Sequence, residues 1–403
     1  MKALVITTGS RGDVQPFIAL AAGLNAHGHE AVVAAPRRFE ALSGSAAVAF
    51  VGLDDSIFAL QEELSGSGVG AALTGVRRAR PYLRRWLSDL TGLVDVQPNV
   101  IVCTRKTLGG TALAERLGVP VVPAQLIPLE PATAQYPIPL APAWWPSAAN
   151  KLSWRASGAL EAPWRSMVAQ WRIDQLGLSA RGASYGSLVD QVGVLSAWSP
   201  HLLPAPADWP AHAAPLGFWT LPGPVEPLPD ALGRFLDAGE PPVLMGFGSM
   251  LDADPARLSD EVIAGLRMAG RRGVVVSGWA GLGAAVNGDD IFVVDQADYR
   301  ALLPRVAVAV HHGGVGTAAA ALTAGIPQVV RPYFGDQPFW ASRLHAMGVA
   351  PAPLGRLRSA ALAERLTQAV ALAPTARQVA DRLAGEDGVA AAVDRLERLI
   401  EDH

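Results

Sequence analysis

The stretch from Val306 to Thr317, V-A-V-A-V-H-H-G-G-V-G-T, constrains this chain more than any other. An apolar, β-branched run that stops at a polar, glycine-rich turn reads as a buried parallel strand ending in a loop. The alanine-rich stretch Ala318 to Ala324 then reads as a helix closed by Gly325 and Pro327. Such a helix start offers free backbone N–H groups and partial positive charge, and glycines remove the side chains that would hold an anion at a distance. Gly314 and Gly316 open the turn, while His312 and Thr317 add side-chain donors, so the segment is a candidate phosphate cradle. Glycines also serve such turns for packing alone. Two adjacent histidines, however, have little structural reason to end a buried apolar strand.

Ile326 to Val330 is expected to be the next strand, followed by P-Y-F-G-D-Q-P. Asp336 and Gln337 therefore stand at another strand end, where open α/β sheets hold their ligands. Asp336 by itself fits a helix cap equally well.

At 403 residues the chain is too long for one ordinary core and is expected to form two α/β domains, each doubly wound. The proline-rich stretch Pro204 to Pro229 has the composition of a stiff connection and contains the boundary. The division expected is 1–215, 216–385 and a last segment, 386–403. Half of the residues are hydrophobic and 17% are charged, which makes a globular chain, and the net charge of −3 gives no reason to expect nucleic acid. Cys103 is the single cysteine, which excludes an internal disulfide and a cysteine-based zinc cluster and suits the cytoplasm. The first residues read as a strand, not a signal peptide, and no run is long enough to span a membrane. Arg77, Arg78, Arg80, Arg84 and Arg85, interleaved with Tyr82, Leu83 and Trp86, fit peripheral membrane contact, a solvated helix face or the rim of a binding site.

In the first half, Ala3 to Thr7 is expected as a strand, G-S-R-G-D-V as a turn and Gln15 to His27 as a helix, with Pro16 in its first turn. Gly9 and Gly12 lack dinucleotide-fingerprint spacing, so no nicotinamide cofactor is expected. Asp13 lies at the strand's carboxyl end, as a helix cap or as a functional acid. Pro98 to Thr104 is another strand, which directs Cys103 and Thr104 to the ligand side as partners for Asp13. Between Pro128 and Trp171 the pattern loosens, and Trp144, Trp145, Trp154, Trp164 and Trp171 suit either a wall for a large apolar ligand or core packing. In the second half, Pro242 to Gly246 followed by G-F-G-S-M repeats the strand and turn logic, with Gly248 and Ser249 as further phosphate donors. Asp252 to Asp254 starts a helix and is no metal site.

H-H-G-G-V-G-T followed by P-Y-F-G-D-Q-P-F-W resembles the donor-binding region of nucleotide-sugar glycosyltransferases with the GT-B fold, two Rossmann-like domains facing a cleft. It is most similar to the branch of sterol glucosyltransferases and of glycopeptide and polyketide antibiotic glycosyltransferases. The resemblance implies that His312, Gly314 and Thr317 hold the donor diphosphate and that Asp336 and Gln337 hold sugar hydroxyls. It places the nucleoside base against Trp279 and the region of Gln296 and Ala297. G-S-R-G-D-V-Q-P is similar to the amino-terminal motif in which an acid replaces a catalytic histidine, which makes Asp13 the candidate base. Ser10 and Arg11 would reach toward the diphosphate, Trp144 and Trp145 would face the acceptor, and the last helix would cross back to the first domain. Tyr299-Arg300 stands where the sterol branch often has a histidine and an acid, which leaves base and ribose contacts open.

The reaction implied is an inverting, metal-independent transfer of a hexose from UDP-glucose or a dTDP-sugar to a hydroxyl of a hydrophobic acceptor, with no cofactor. A sugar-nucleotide epimerase of the same fold and a catalytically silent partner of another transferase are the alternatives.

Overall fold

A computed structural model describes residues 1–56, 71–142, 144–159, 161–247, 254–276 and 289–401. The chain divides into two compact units, 1–223 with 387–403, and 224–386.

Among the described residues the first unit holds six parallel strands: β1 (Lys2–Ile6), β2 (Glu30–Pro36), β3 (Ala49–Leu53), β4 (Val100–Cys103), β5 (Val121–Gln125) and β6 (Leu195–Ser196). Their order is β3-β2-β1-β4-β5-β6. In β1, Ala3 and Val5 enter one apolar cluster, and Leu4 and Ile6 enter another on the opposite face. A period-two strand buried on both sides explains the unbroken apolar sequence, since helices cover both faces. The final helix, Gly388–Glu401, closes one of these faces by placing Ala392, Val393 and Leu396 in the cluster of Ala3 and Val5. Gly23 of the first helix permits that approach, because a Cβ there would overlap Val389 Cγ1.

The described residues of the second unit form five parallel strands: β7 (Val243–Gly246), β8 (Gly273–Val276), β9 (Ile291–Val294), β10 (Val308–His311) and β11 (Gln328–Val330). Their order is β11-β10-β7-β8-β9. Val308 and Val310 face one apolar cluster while Ala309 faces the other. Both sheets reverse their winding beside their first strand, between β1 and β4 and between β7 and β10. Loops leaving such a pair on the carboxyl side diverge to opposite faces and open a crevice, the usual ligand position in this architecture.

Two helices begin earlier than the sequence pattern suggests. The first runs Arg11–Ala26, so most of the expected turn is helical, Asp13 is its third residue and Pro16 sits in the second turn. There the proline costs the helix the hydrogen bond to the Gly12 carbonyl. The helix after β10 runs Val315–Thr323, which brings Gly316 and Thr317 into its first turn.

Candidate functional site

In the first unit, Ile6 is level with Cys103 across the β1–β4 pair, so the chain leaving β1 runs beside the chain leaving β4. Gly9 turns the β1 exit into the helix with φ +123, and a Cβ there would overlap the Asp13 carboxylate. Both demands require glycine. The carboxylate reaches back to the residue ahead of the helix: Asp13 Oδ2 accepts from Ser10 N (2.9 Å) and from Ser10 Oγ (3.0 Å). Asp13 Oδ1 accepts from the Lys106 ammonium, which the short turn Arg105–Thr107 after β4 delivers. A carboxylate has about four acceptor positions. Three are filled here, and the side chain keeps 21% of its exposure.

Asp13, Thr7, Thr104 and Lys106 line one end of a cavity whose apolar wall is Ala124, Leu126, Ile127 and Leu129. Gln125 shapes that wall by accepting from Leu129 N (3.1 Å) and Glu130 N (3.2 Å). Arg105 and Tyr185 also line the cavity. The Arg105 guanidinium pairs with Glu130 (2.6 Å) and Glu161 (2.8 Å) and lies 5.0 Å from the Tyr185 ring centre. Burial pushes Glu130 above the usual carboxylate range, against the pull of Arg105.

Several expectations change here. Cys103 belongs to the core, where burial pushes its thiol up to about 12, and the cation that meets Asp13 is Lys106. Ser10 is engaged with Asp13, and Arg11 Nε donates to Gln15 Oε1 (2.9 Å). Trp144 is 78% exposed and stacks on Trp145, and neither lines the cavity of Asp13. Trp154 and Trp171 are buried, with Nε1 donating to Tyr136 O (3.1 Å) and Thr91 Oγ1 (3.0 Å), so these two pack the interior. Trp86 is likewise buried, whereas Arg77, Arg78, Arg80, Arg84 and Arg85 are exposed.

In the second unit the two histidines divide their tasks. Gly313 N donates to His311 Nδ1 (3.0 Å), so the ring proton is on Nε2 and donates to Gln328 Oε1 (2.8 Å) on β11. His311 is a buried brace for the turn. His312 is partly buried and, among the described residues, its Nδ1 has no hydrogen-bond partner. Burial lowers both rings, His311 to about 3 and His312 to about 4, so both are neutral at pH 7. Gly313, at φ +94, packs on Gln337, whose backbone oxygen would lie 3.2 Å from an added Cβ. The fold thereby brings the His312 turn and the Asp336-Gln337 pair together. Gly314 is the N-cap of the helix Val315–Thr323 and has no side chain with which to close it, and Gly316 is exposed beside partly buried Thr317. Asp336 Oδ2 accepts from Trp340 Nε1 (2.8 Å), and Gln337 Oε1 accepts from Tyr333 N (2.8 Å).

Gly248, Ser249 and Trp279 lie outside the described residues. Gln296 is exposed after β9, and Ala297 packs against the apolar cluster beneath it. Asp298 caps the next short helix by accepting from Arg300 N (2.9 Å). Tyr299 is turned inward against Gly246 at the end of β7, where burial pushes its phenol up to about 12.

Comparison with known proteins shows which family the chain belongs to. Residues 3–134 match the glycosyltransferase family 28 N-terminal domain, and residues 280–397 match the erythromycin biosynthesis protein CIII-like C-terminal domain. The chain is 34% identical to O-mycaminosyltylonolide 6-deoxyallosyltransferase of Streptomyces fradiae, over 96% of this chain and 95% of that protein. The chain belongs to the GT-B nucleotide-sugar glycosyltransferases. It is also 30% identical to a sterol 3-beta-glucosyltransferase of Arabidopsis thaliana, over 99% of this chain and 68% of that one. The transferase spans 27% of the length of a sterol 3-beta-glucosyltransferase of Cryptococcus neoformans that it matches at 29% identity. The fold is shared with the crystal structure of the glycotransferase of kitacinnamycin, at a TM-score of 0.71 and 17% identity, covering 99% of both chains. It is shared also with glycosyltransferase VinC in complex with dTDP, at 0.68 and 21% identity over the whole of both chains. Among the described residues no helix is long and apolar enough to cross a membrane, and no group of three or more His, Cys, Asp or Glu is placed to hold a metal.

Lys106 and the bracing role of His311 are the site features that sequence reasoning missed. The signal for Lys106 was its place just past a strand end, in V-C-T-R-K, but only the strand order puts that end beside Asp13.

Proposed function

We propose that this transferase moves a hexose, with inversion and without a metal, from UDP-glucose or a dTDP-sugar to a hydroxyl of a hydrophobic acceptor. The observation that carries this reading is the single acceptor position left on the Asp13 carboxylate, at the end of a cavity with an apolar wall. The acceptor hydroxyl donates there, and its proton passes to Asp13 as the oxygen attacks the anomeric carbon. An alcohol is a far weaker acid than a carboxylic acid, so transfer is late and concerted with bond formation. A base so placed contributes roughly 10²–10⁴-fold. Lys106 and Ser10 are positioning residues that fix the carboxylate's orientation.

The departing diphosphate gathers charge at the turn 313–317. The amides at the start of the helix Val315–Thr323, the neutral His312 ring and the Thr317 hydroxyl answer that charge where a metal would in other enzymes. Asp336 and Gln337, packed beside the turn, read the sugar hydroxyls. The relatives named for a sterol and for O-mycaminosyltylonolide both support a bulky acceptor. An epimerase would have no use for the cavity at Asp13.

The test is product formation by chelator-treated enzyme with UDP-glucose and dTDP-glucose, each offered with a sterol and with a macrolactone. A mass shift of one hexose, unaffected by the chelator, is expected. Activity restored only by magnesium or manganese, or interconversion of the sugar without transfer, would overturn the reading.

A further inference from the structure

Arg105 and Lys106 are neighbours on the short turn after β4, yet they serve different sides of the cavity. Lys106 meets Asp13, whereas Arg105 is buried and pairs with the connection that leaves β5. Its Nη2 donates to Glu130 Oε1 (2.6 Å), and its Nη1 donates to Glu161 Oε1 (2.8 Å) and to Ser157 O (3.3 Å). Ser157 Oγ closes the set by donating to the same Glu130 oxygen (2.9 Å). The Tyr185 ring lies under the guanidinium, and its hydroxyl donates to Ala124 O (2.8 Å) in β5. These partners are far apart in the chain. Glu130 stands near the start of the connection after β5, and Ser157 and Glu161 stand at its end, just ahead of the helix Arg165–Leu176. Among the described residues this connection forms only short helical turns, so ordering it is entropically costly. One guanidinium clasps both of its ends. The end at Glu130 is also the end that faces the cavity, since Leu126, Ile127 and Leu129 line it.

We infer that Arg105 is a positioning residue for the acceptor: by clasping Glu130 and Glu161 it holds the wall of Leu126, Ile127 and Leu129 in place relative to the carboxylate that Lys106 holds. The inference rests on the reading of this cavity as the acceptor site. A wall of this kind touches the hydrocarbon body of the acceptor and no reacting atom, so it favours the ground state and the transition state alike. Its displacement therefore raises the KM for the acceptor and leaves kcat in place. Lys106, one residue further on, acts on the carboxylate and hence on kcat. The clasp needs a fork: a lysine at 105 keeps the charge but lacks the planar, two-armed donor set that reaches both carboxylates at once.

Three measurements on the full chain test this. The first is hydrogen exchange at the amides of Leu129 and Glu130, which donate to Gln125 Oε1. In Arg105→Lys they are expected to exchange at least about tenfold faster, with the amides of β1 unchanged. Unchanged exchange at these two amides, or faster exchange in β1 as well, overturns the proposal. Glu130→Gln leaves Arg105 balanced by Glu161 and carries the same test if the lysine variant does not fold. The second is steady-state transfer from UDP-glucose and dTDP-glucose to cholesterol and to a macrolactone. Arg105→Lys is expected to raise the KM for the acceptor at least about fivefold with kcat within about twofold of wild type. A lowered kcat at constant KM would mean that Arg105 acts through its neighbour on Asp13, and the wall proposal would fall. The third is Leu129→Trp, which fills the cavity from its apolar wall. If it leaves the KM for the acceptor unmoved, the cavity is not the acceptor site and both readings fall. If it raises KM while Arg105→Lys does not, only the role of Arg105 is lost.

Discussion

The two units answer the same topological situation in opposite ways. Each has a strand at a reversal of sheet winding that runs through a glycine turn into a helix. After β1 the helix start is occupied by its own third residue, Asp13, whose carboxylate is tied to Ser10 and to Lys106. After β10 the helix start is Gly314, with no side chain to close it, and the adjacent His312 ring has an Nδ1 unpaired among the described residues. A helix N-terminus that already faces a carboxylate repels an anion and holds that carboxylate in place. One left open attracts the anion. The same architecture therefore yields a tethered carboxylate in one unit, the proposed base, and an open helix start in the other, the proposed anion cradle, according to whether an acid stands in the first turn.

The comparison breaks most sharply at Asp13. Asp13→Asn keeps the shape of the cap and removes the proposed base, so kcat is expected to fall at least about a hundredfold. Steady-state turnover within a few-fold of wild type would return Asp13 to the role of a helix cap alone. Lys106→Met sharpens the same point with a smaller effect. Loss of the ammonium lets the carboxylate turn, and kcat is expected to fall about tenfold while the melting midpoint changes little. A change confined to the midpoint would make Lys106 an ordinary surface pair.

The smallest effect is acid sensitivity in the second unit. Burial holds His311 at about 3 and His312 at about 4, below their ordinary value of 6.5. Between those values the unfolded chain binds protons that the folded one refuses, so stability falls as pH drops below about 6.5. Each histidine contributes up to about 1.4 kcal/mol per pH unit in that window. Melting curves from pH 7.5 to 4.5 should show the loss, and His312→Gln should reduce its slope by about half. A slope unaffected by His312→Gln would show that the ring is solvated.

The proposed cradle after β10 was readable because its parts are contiguous in sequence: apolar strand, glycines, helix. The proposed base in the first unit was readable only as an acid at a strand end. What holds it comes from 93 residues away, and the pairing exists because the sheet order puts β4 beside β1. Local pattern carries no information on that order. The adjacent histidines show a second limit. Both look alike in sequence, and only the register of β10 with β11, which sets His311 opposite Val330 and near Gln328, turns one inward as a brace. The tryptophans show a third, since Trp144 and Trp154 differ by burial alone. Composition does not distinguish a wall from a core.

Nucleotide binding separates the two helix starts most directly. UDP and dTDP affinities would be measured by calorimetry for the wild type, Asp13→Asn and Gly314→Ala. The alanine methyl would fall 2.5 Å from His312 Nε2, so the ring has to move from its place beside the helix start. At least a tenfold loss of affinity is expected for Gly314→Ala, with Asp13→Asn within about twofold of wild type. Equal weakening by both variants, or weakening by Asp13→Asn alone, would contradict the assignment of the anion site to the second unit.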